Sequence, residues 1–365
     1  MSQHFHPLTI AEVRPNTDEA VTVSFAVPED LRELFQYRPG QHLTLRAELG
    51  GVEVRRTYSV CSGPGDAMLS VTVKRVAGGM FSNHANDTFR PGTTLDVMPP
   101  AGRFVLPLPA ETEAARTYLA IAAGSGITPV ISMLRHALES EPASRFVLIY
   151  GNRAPGTILF REALDDIKDR FLDRFVLLHV LSRSDESESP LLSGRITGEK
   201  LEALVPTLID PATLDHAFLC GPDTMIKSAM DALKGLGVPR EKIHFEFFIR
   251  GSNATAPRAV APPPPPTSAT AWNGPQITAI LDGARLSFRA EPGEKLVDAA
   301  IRAGLSVPYS CKGGMCCTCR ARVIEGRAEM AENWSLEPWE IEKGFVLTCQ
   351  AVPKSERIVV DYDQM

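Results

Sequence analysis

Four cysteines near the C-terminus constrain this chain more than any other feature. The run Cys311-Lys-Gly-Gly-Met-Cys316-Cys317-Thr-Cys319, with Cys349 further on, has the spacing C-x4-C-x2-C…C. A [2Fe-2S] cluster needs four thiolates around one compact centre, and this pattern supplies three from a tight loop and the fourth from a returning strand. Gly313 and Gly314 let the backbone fold close over such a centre and turn N–H groups toward its sulfurs. The ligand set read from the spacing is Cys311, Cys316, Cys319 and Cys349. Using Cys317 in place of Cys316 would change the spacing to x5 and x1, so Cys317 is read as a non-ligand. A four-cysteine zinc site is the alternative, but there one C-x2-C pair usually faces a second, and here the fourth cysteine stands alone. Of the seven cysteines, Cys61 and Cys220 are isolated and expected to be simply buried.

At 365 residues the chain is long enough for two or three domains. With 44% hydrophobic and 22% charged residues it can bury sizeable cores. The 38 Lys and Arg against 44 Asp and Glu give a net charge of -6, without the basic excess that nucleic-acid binding needs. The start, MSQHFHPLTIAEVRPNT, lacks the basic and then apolar pattern of a secretory signal. The most apolar run, Thr117 to Leu134, is broken by Gly124, Gly126 and Pro129 and is short for a bilayer. The expected location is the cytoplasm, with no membrane contact, and a reducing cytosol favours a metal role for the clustered cysteines over disulfides.

The organisation expected is multidomain: β, then α/β, then α+β. Residues 1–108 alternate in short runs punctuated by Pro39-Gly40 and Pro91-Gly92, the pattern of an antiparallel β-barrel. Residues 109–253 alternate apolar runs with helical spacing, as buried parallel strands and their helices do. Pro129 is placed at the first position of the helix after Thr128. Residues 254–271 hold five consecutive prolines among Ala, Thr and Ser, a polyproline II tether reaching on the order of 50 Å. Residues 272–365 open on a hairpin at Asp282-Gly283, continue through a helix from about Glu294 to Ala303, and close on strands around the cysteine loop.

In hairpin, helix, cysteine loop and final cysteine, the last domain resembles plant-type ferredoxins, which implies a β-grasp-like fold. Arg56-Thr57-Tyr58-Ser59, ending one strand, and Gly78-Gly79-Met80-Phe81-Ser82, following another, resemble the R-x-Y-S and G-G-x-x-S flavin motifs of the ferredoxin-NADP reductase family. The chemistry suits each residue. Arg56 can pair with a phosphate, Tyr58 can lie against a flavin ring and Ser59 can bond its edge. The turn of Gly79, Met80, Phe81 and Ser82 can offer N–H groups to a pyrophosphate, which favours FAD over FMN. Gly124-Ser125-Gly126-Ile127-Thr128-Pro129 links a strand to a helix and matches the family's G-x-G-x-x-P loop for a pyridine nucleotide. Cys220-Gly221-Pro222-Asp223 resembles its C-G-P segment, which holds the nicotinamide near the flavin. Ser182-Arg183 ends a strand where these reductases meet the adenosine ribose. An arginine there suits a 2′-phosphate, so NADPH is expected, with NADH the alternative. Arg153 is either a second contact or a surface ion pair. Phe248 is read as the aromatic residue that closes the reductase module against the flavin, or as core.

The resemblance implies that electrons pass from NADPH to FAD, singly to the cluster, and on to an oxygenase component, a di-iron protein. No catalytic residue is expected beyond those that hold cofactors. Reductases for ring-hydroxylating dioxygenases, steroid hydroxylases and desaturases share these motifs, and a redox-sensing interaction module is a reading of another class. Glu325, Glu329, Glu332, Glu337, Glu340 and Glu342 form an acidic stretch, either a docking face for the acceptor or a solvated surface.

Overall fold

The computed structural model describes residues 4–63, 65–107, 115–183, 189–248 and 274–364. The proline run and the proposed 254–271 tether lie outside the described residues. The described parts of Pro7–Leu43 and Tyr58–Ser252 form one compact unit, and those of Met1–His6, Thr44–Thr57 and Asn253–Met365 the other.

The first sheet is built from β1 (His6–Thr17), β2 (Ala20–Ala26), β3 (His42–Leu49), β4 (Val52–Ser59), β5 (Leu69–Lys74) and β6 (Thr94–Val97), with helix α1 (Met80–Thr88) between the last two. Its order is β4-β3-β6-β1-β2-β5. β2 pairs antiparallel with both β1 and β5, and the alternation of Leu8, Ile10, Val23 and Phe25 with more exposed neighbours puts one face of these strands in a core.

The second sheet is parallel. It uses β7 (Thr117–Ala123), β8 (Arg145–Asn152), β9 (Phe175–Leu181), β10 (His216–Gly221) and β11 (Ile243–Phe247), joined by α2 (Ile127–Ser140), α3 (Arg161–Arg170), α4 (Gly198–Leu208) and α5 (Asp223–Gly235). The apolar runs resolve into two cores by period two. Tyr118, Ala120, Phe146, Leu148, Tyr150 and Phe218 meet α2 on one face, while Leu119, Ile121, Val147, Ile149 and Leu219 meet α4 and α5 on the other. Each fully buried aliphatic or phenyl side chain stabilises by about 1.5–3 kcal/mol relative to exposure. The order β11-β10-β7-β8-β9 reverses direction between β7 and β10, and open α/β sheets bind ligands at the carboxyl ends of the strands flanking such a reversal.

The third sheet comprises β12 (Gln276–Leu281), β13 (Ala284–Arg289), β14 (Arg320–Glu325), β16 (Phe345–Leu347) and β18 (Arg357–Asp361), in the order β13-β12-β18-β14-β16, with β15 (Ala328–Met330) and β17 (Ala351–Pro353) paired separately. Helix α6 (Leu296–Arg302) packs Leu296, Val297, Ala299 and Ala300 into its core, and the short α7 (Pro338–Glu342) precedes β16. The turn between β12 and β13 puts Asp282 and Gly283 at φ 50° and 76°, the paired positive values of a two-residue hairpin.

Two sequence expectations are corrected. Pro129 is the third residue of α2 rather than the first; it still falls in the first turn, where no N–H is needed. The segment after Gly79 is not a bare turn but the start of the nine-residue α1, capped by Gly79.

Candidate cofactor sites

The cysteine loop runs from α6 to β14. Lys312, Gly314 and Cys317 adopt φ of 51°, 76° and 56°, and these left-handed residues curl the chain around the thiols. Gly314 is tightly set, since a Cβ there would lie 3.1 Å from the Glu332 carbonyl oxygen. Cys311 is exposed, whereas Cys316, Cys319 and Cys349 are buried. Cys349 follows β16, and its neighbour Thr348 donates through both N–H and hydroxyl to the Cys319 carbonyl.

The thiols associate in two pairs. A hydrogen bond from Cys316, joined by backbone N–H groups, brings the Cys311 thiol down to about 5. One from Cys319 likewise lowers Cys349, and Gln350 Nε2 donates to the Cys349 sulfur at 3.7 Å. A [2Fe-2S] centre asks for two thiolates per iron, with sulfides bridging. The 311/316 and 319/349 pairs fit that demand. Cys317 is half-buried against the domain core.

At the end of β4, Tyr58 is half-buried and Ser59 buried, while Arg56 is exposed and its guanidinium donates to the Arg55 carbonyl at 2.7 Å. The Tyr58 ring lies 5.8 Å from that of Phe81, so α1 props the tyrosine. Phe81 itself is 1% exposed and supports Tyr58 from behind, whereas Met80 is exposed. The Ser82 hydroxyl accepts from the Val76 N–H at 3.1 Å, which closes the turn. The N–H groups in the first turn of a helix have no intrahelical partner and can serve an anion.

The glycine-rich loop at 124–129 occupies the reversal between β7 and β10. Gly124, at φ +54°, starts a short 3-10 turn ending at Gly126, and its carbonyl accepts from the buried Tyr150 hydroxyl at 2.9 Å. Thr128 Oγ1 donates to the Ser125 carbonyl at 3.0 Å. A Cβ on Gly126 would stand 2.1 Å from the Cys220 carbonyl oxygen, so the loop and the Cys220-Gly221 segment are in backbone contact. The sequence-predicted residues 124–129 and Cys220, Gly221, Pro222 and Asp223 are thus brought together. Asp223 opens α5 and pairs with Lys227 at 3.0 Å. The Phe248 N–H donates to the Gly221 carbonyl at 3.4 Å, which places Phe248 beside the same segment.

Sequence reasoning missed Glu246. It lies opposite Cys220 in the β10–β11 register, and burial together with its charge pushes the Cys220 thiol well up. His42, 2% exposed, reaches the same carboxylate at 4.0 Å and is pushed down to about 4 by burial. A carboxylate within an aromatic run, Phe245-Glu246-Phe247-Phe248, was the available signal.

At the ends of β8 and β9, the Ser182 and Arg183 N–H groups donate to the Asn152 and Arg153 carbonyls at 2.9 and 2.8 Å, setting the two arginines side by side on the backbone. Arg183 is exposed. Arg153 forms an ion pair with Glu19 at 2.6 Å, the surface-pair alternative raised from sequence. In the acidic stretch, Glu340 is corrected: it is fully buried, accepts from Arg320 at 2.8 Å and caps α7, so it belongs to the core and not to a docking face. Glu329 is exposed and pairs with Lys354.

Family models described as oxidoreductase FAD-binding domain, oxidoreductase NAD-binding domain and 2Fe-2S iron-sulfur cluster binding domain match residues 8–106, 120–231 and 279–354. The chain is 44% identical over 361 residues to a 1,2-phenylacetyl-CoA epoxidase subunit of Escherichia coli (strain K12), covering 98% of each. It is 35% identical to the ferredoxin reductase component of 3-ketosteroid-9-alpha-monooxygenase of Rhodococcus rhodochrous, covering 97% of this chain and 96% of that one. The solved structure of phthalate dioxygenase reductase shares the fold at a TM-score of 0.57 and 23% identity, with 98% of both chains covered. The chain belongs to the family of oxygenase reductase components that carry FAD-binding, NAD-binding and 2Fe-2S domains in one polypeptide.

Proposed function

We propose that this chain is the NADPH-oxidising reductase of a phenylacetyl-CoA ring-1,2-epoxidase, delivering electrons to a di-iron oxygenase component in cytoplasmic, aerobic phenylacetate catabolism. The observation that carries the reading is the 44% identity, extending over 98% of both chains, to a component of that system in Escherichia coli. Among the described residues no helix is long and apolar enough to cross a membrane, which accords with the location. The cofactors supply the hydride and single-electron chemistry. The chain's part is placement. In this reading Arg56 and the first turn of α1 bind the FAD phosphates, Tyr58 and Phe248 cover its ring system, and Ser59 bonds the ring edge. Residues 124–129 seat the nucleotide pyrophosphate, and Cys220 to Asp223 hold the nicotinamide. Cys311, Cys316, Cys319 and Cys349 ligate the irons.

The test is reconstitution. Purified protein mixed with the phenylacetyl-CoA oxygenase component should consume NADPH in step with substrate and oxygen. Coupling to a 3-ketosteroid hydroxylase instead, the system of the 35% identical relative, would reassign the acceptor. Failure of NADPH to drive reduction of ferricyanide or cytochrome c would favour a redox-sensing module.

Two further outcomes are expected. Arg183→Glu removes the cation facing a 2′-phosphate and adds a partner for a free hydroxyl, so the NADPH-over-NADH ratio of kcat/KM should fall at least tenfold, about 1.4 kcal/mol. An unchanged ratio would move the 2′-phosphate contact elsewhere. Glu325, Glu332, Glu337 and Glu342 are exposed, and reversing their charges should slow transfer to the oxygenase at low salt but not at high salt; equal rates at low salt would make them merely a solvated face.

A further inference from the structure

Strand β4 has two working faces. Side chains alternate along a strand, so Arg56 and Tyr58 of the flavin motif share one face while Arg55 and Thr57 share the other. The residues on that second face engage the segment immediately ahead of the first cluster ligand. Both partners belong to the compact unit that unites Thr44–Thr57 with the C-terminal domain. The Arg55 guanidinium lies 4.2 Å from the centroid of the Tyr309 ring, and Thr57 and Ser310 join their hydroxyls in a hydrogen bond. Cys311 is the next residue.

Arg55 is not a surface charge that happens to fall there. It is 8% exposed, its Nε donates to Glu53 at 2.8 Å, and the Phe5 ring lies 4.9 Å from its guanidinium carbon. Tyr309 receives a second cation, Lys312 Nζ at 4.9 Å, which Asp298 holds in turn at 2.7 Å. A desolvated cation over an aromatic face is the stronger form of this interaction. The one hydroxyl pair and the one buried guanidinium therefore grip residues 309 and 310 from a strand whose opposite face carries Arg56.

We propose that Arg55 and Thr57 are positioning residues that clamp Tyr309-Ser310, and with them the Cys311 loop, to strand β4, and that this clamp sets how fast the cluster is reduced. The proposal rests on the reading of Arg56 and Tyr58 as flavin contacts. The hydride from NADPH brings two electrons and one proton to the flavin; two one-electron transfers to the cluster, each followed by transfer on to the acceptor, empty it and return that proton to solvent. The clamp itself makes and breaks no covalent bond.

The test uses the full holoprotein and two independent variants, Arg55→Met, which keeps the apolar stem, and Thr57→Val, which keeps the shape. Hydrogen exchange of the amides of residues 306–314 should accelerate about tenfold in each, an opening that local contacts control. In rapid mixing with NADPH, flavin bleaching should keep its wild-type rate while cluster reduction slows at least tenfold. Unchanged exchange in both variants would overturn the clamp. Faster exchange with unchanged cluster reduction would overturn its role in electron transfer. Loss of iron in both variants would make the contact one of folding only, which also overturns it. Arg56→Ala, measured for bound FAD, separates the two readings: retained FAD would count against the flavin motif, while the exchange results would still decide the clamp.

Discussion

Cys349→Ser is expected to strip the cluster and leave NADPH-driven flavin reduction at its normal rate. Cys349 is 1% exposed and, in the proposed ligand set, alone comes from outside the 311–319 loop, so without it one iron would keep only Cys319. A serine hydroxyl in that place is a poor thiolate substitute and leaves a polar group in the core that Cys319, Leu347 and Ala351 form. Metal-site binding energy is folding energy, so the C-terminal domain should also melt earlier. The flavin and nucleotide segments lie on other sheets, which is why flavin bleaching should survive. Iron and acid-labile sulfide should fall close to zero, and the visible spectrum should reduce to flavin bands. Cys317→Ser is the control and should keep full cluster absorption. A Cys349→Ser protein with an intact cluster spectrum, or a Cys317→Ser protein without one, would redraw the ligand set.

The features legible from sequence were those fixed by local chemistry. Asp282-Gly283 announced its hairpin because few residue pairs tolerate two positive φ values in succession. The β7 and β8 runs announced a doubly covered sheet because only buried strands dispense with polar alternation. What stayed hidden depends on contacts across long separations. Helix α1 reads MFSNHANDT, a polar stretch whose buried face is only Phe81, Ser82 and Ala85, so no periodic signal separated it from a turn. Glu340 looked like one more surface acid; its burial follows from Arg320 on β14, whose guanidinium also stacks 3.5 Å from the Phe345 ring. Glu246 carried no sequence signal of its own beyond its aromatic neighbours, because its register against Cys220 is a property of the sheet. The pairing of Arg153 with Glu19 joins residues 134 positions apart, beyond any window.

The two glycines of the nucleotide loop should respond in opposite degree to the same methyl group. Gly124→Ala places a Cβ where no other heavy atom lies within 4 Å. Its cost is the left-handed backbone at φ +54°, about 1–2 kcal/mol, so the protein should melt a few degrees lower yet still accept hydride from NADPH. Gly126→Ala has no backbone penalty, since φ is -62°. Its methyl instead collides with main chain at the Cys220 carbonyl, 2.1 Å from oxygen and 2.5 Å from carbon, and backbone on a central parallel strand cannot swing aside as a side chain would. Relief requires the start of α2 to move away from the end of β10, at a strain of about 1–3 kcal/mol or more. That motion separates the turn proposed to seat the pyrophosphate from the Cys220-Gly221 segment, and a displacement near 1 Å between a bound reactant and its partner costs on the order of 100-fold in rate. NADPH-dependent flavin bleaching should therefore drop roughly 100-fold in Gly126→Ala, while dithionite still reduces flavin and cluster fully. Equal losses in the two variants would mean that loop flexibility, and not close packing against β10, governs the site; a Gly126→Ala protein with wild-type bleaching would show that the turn and Cys220 do not work as one unit.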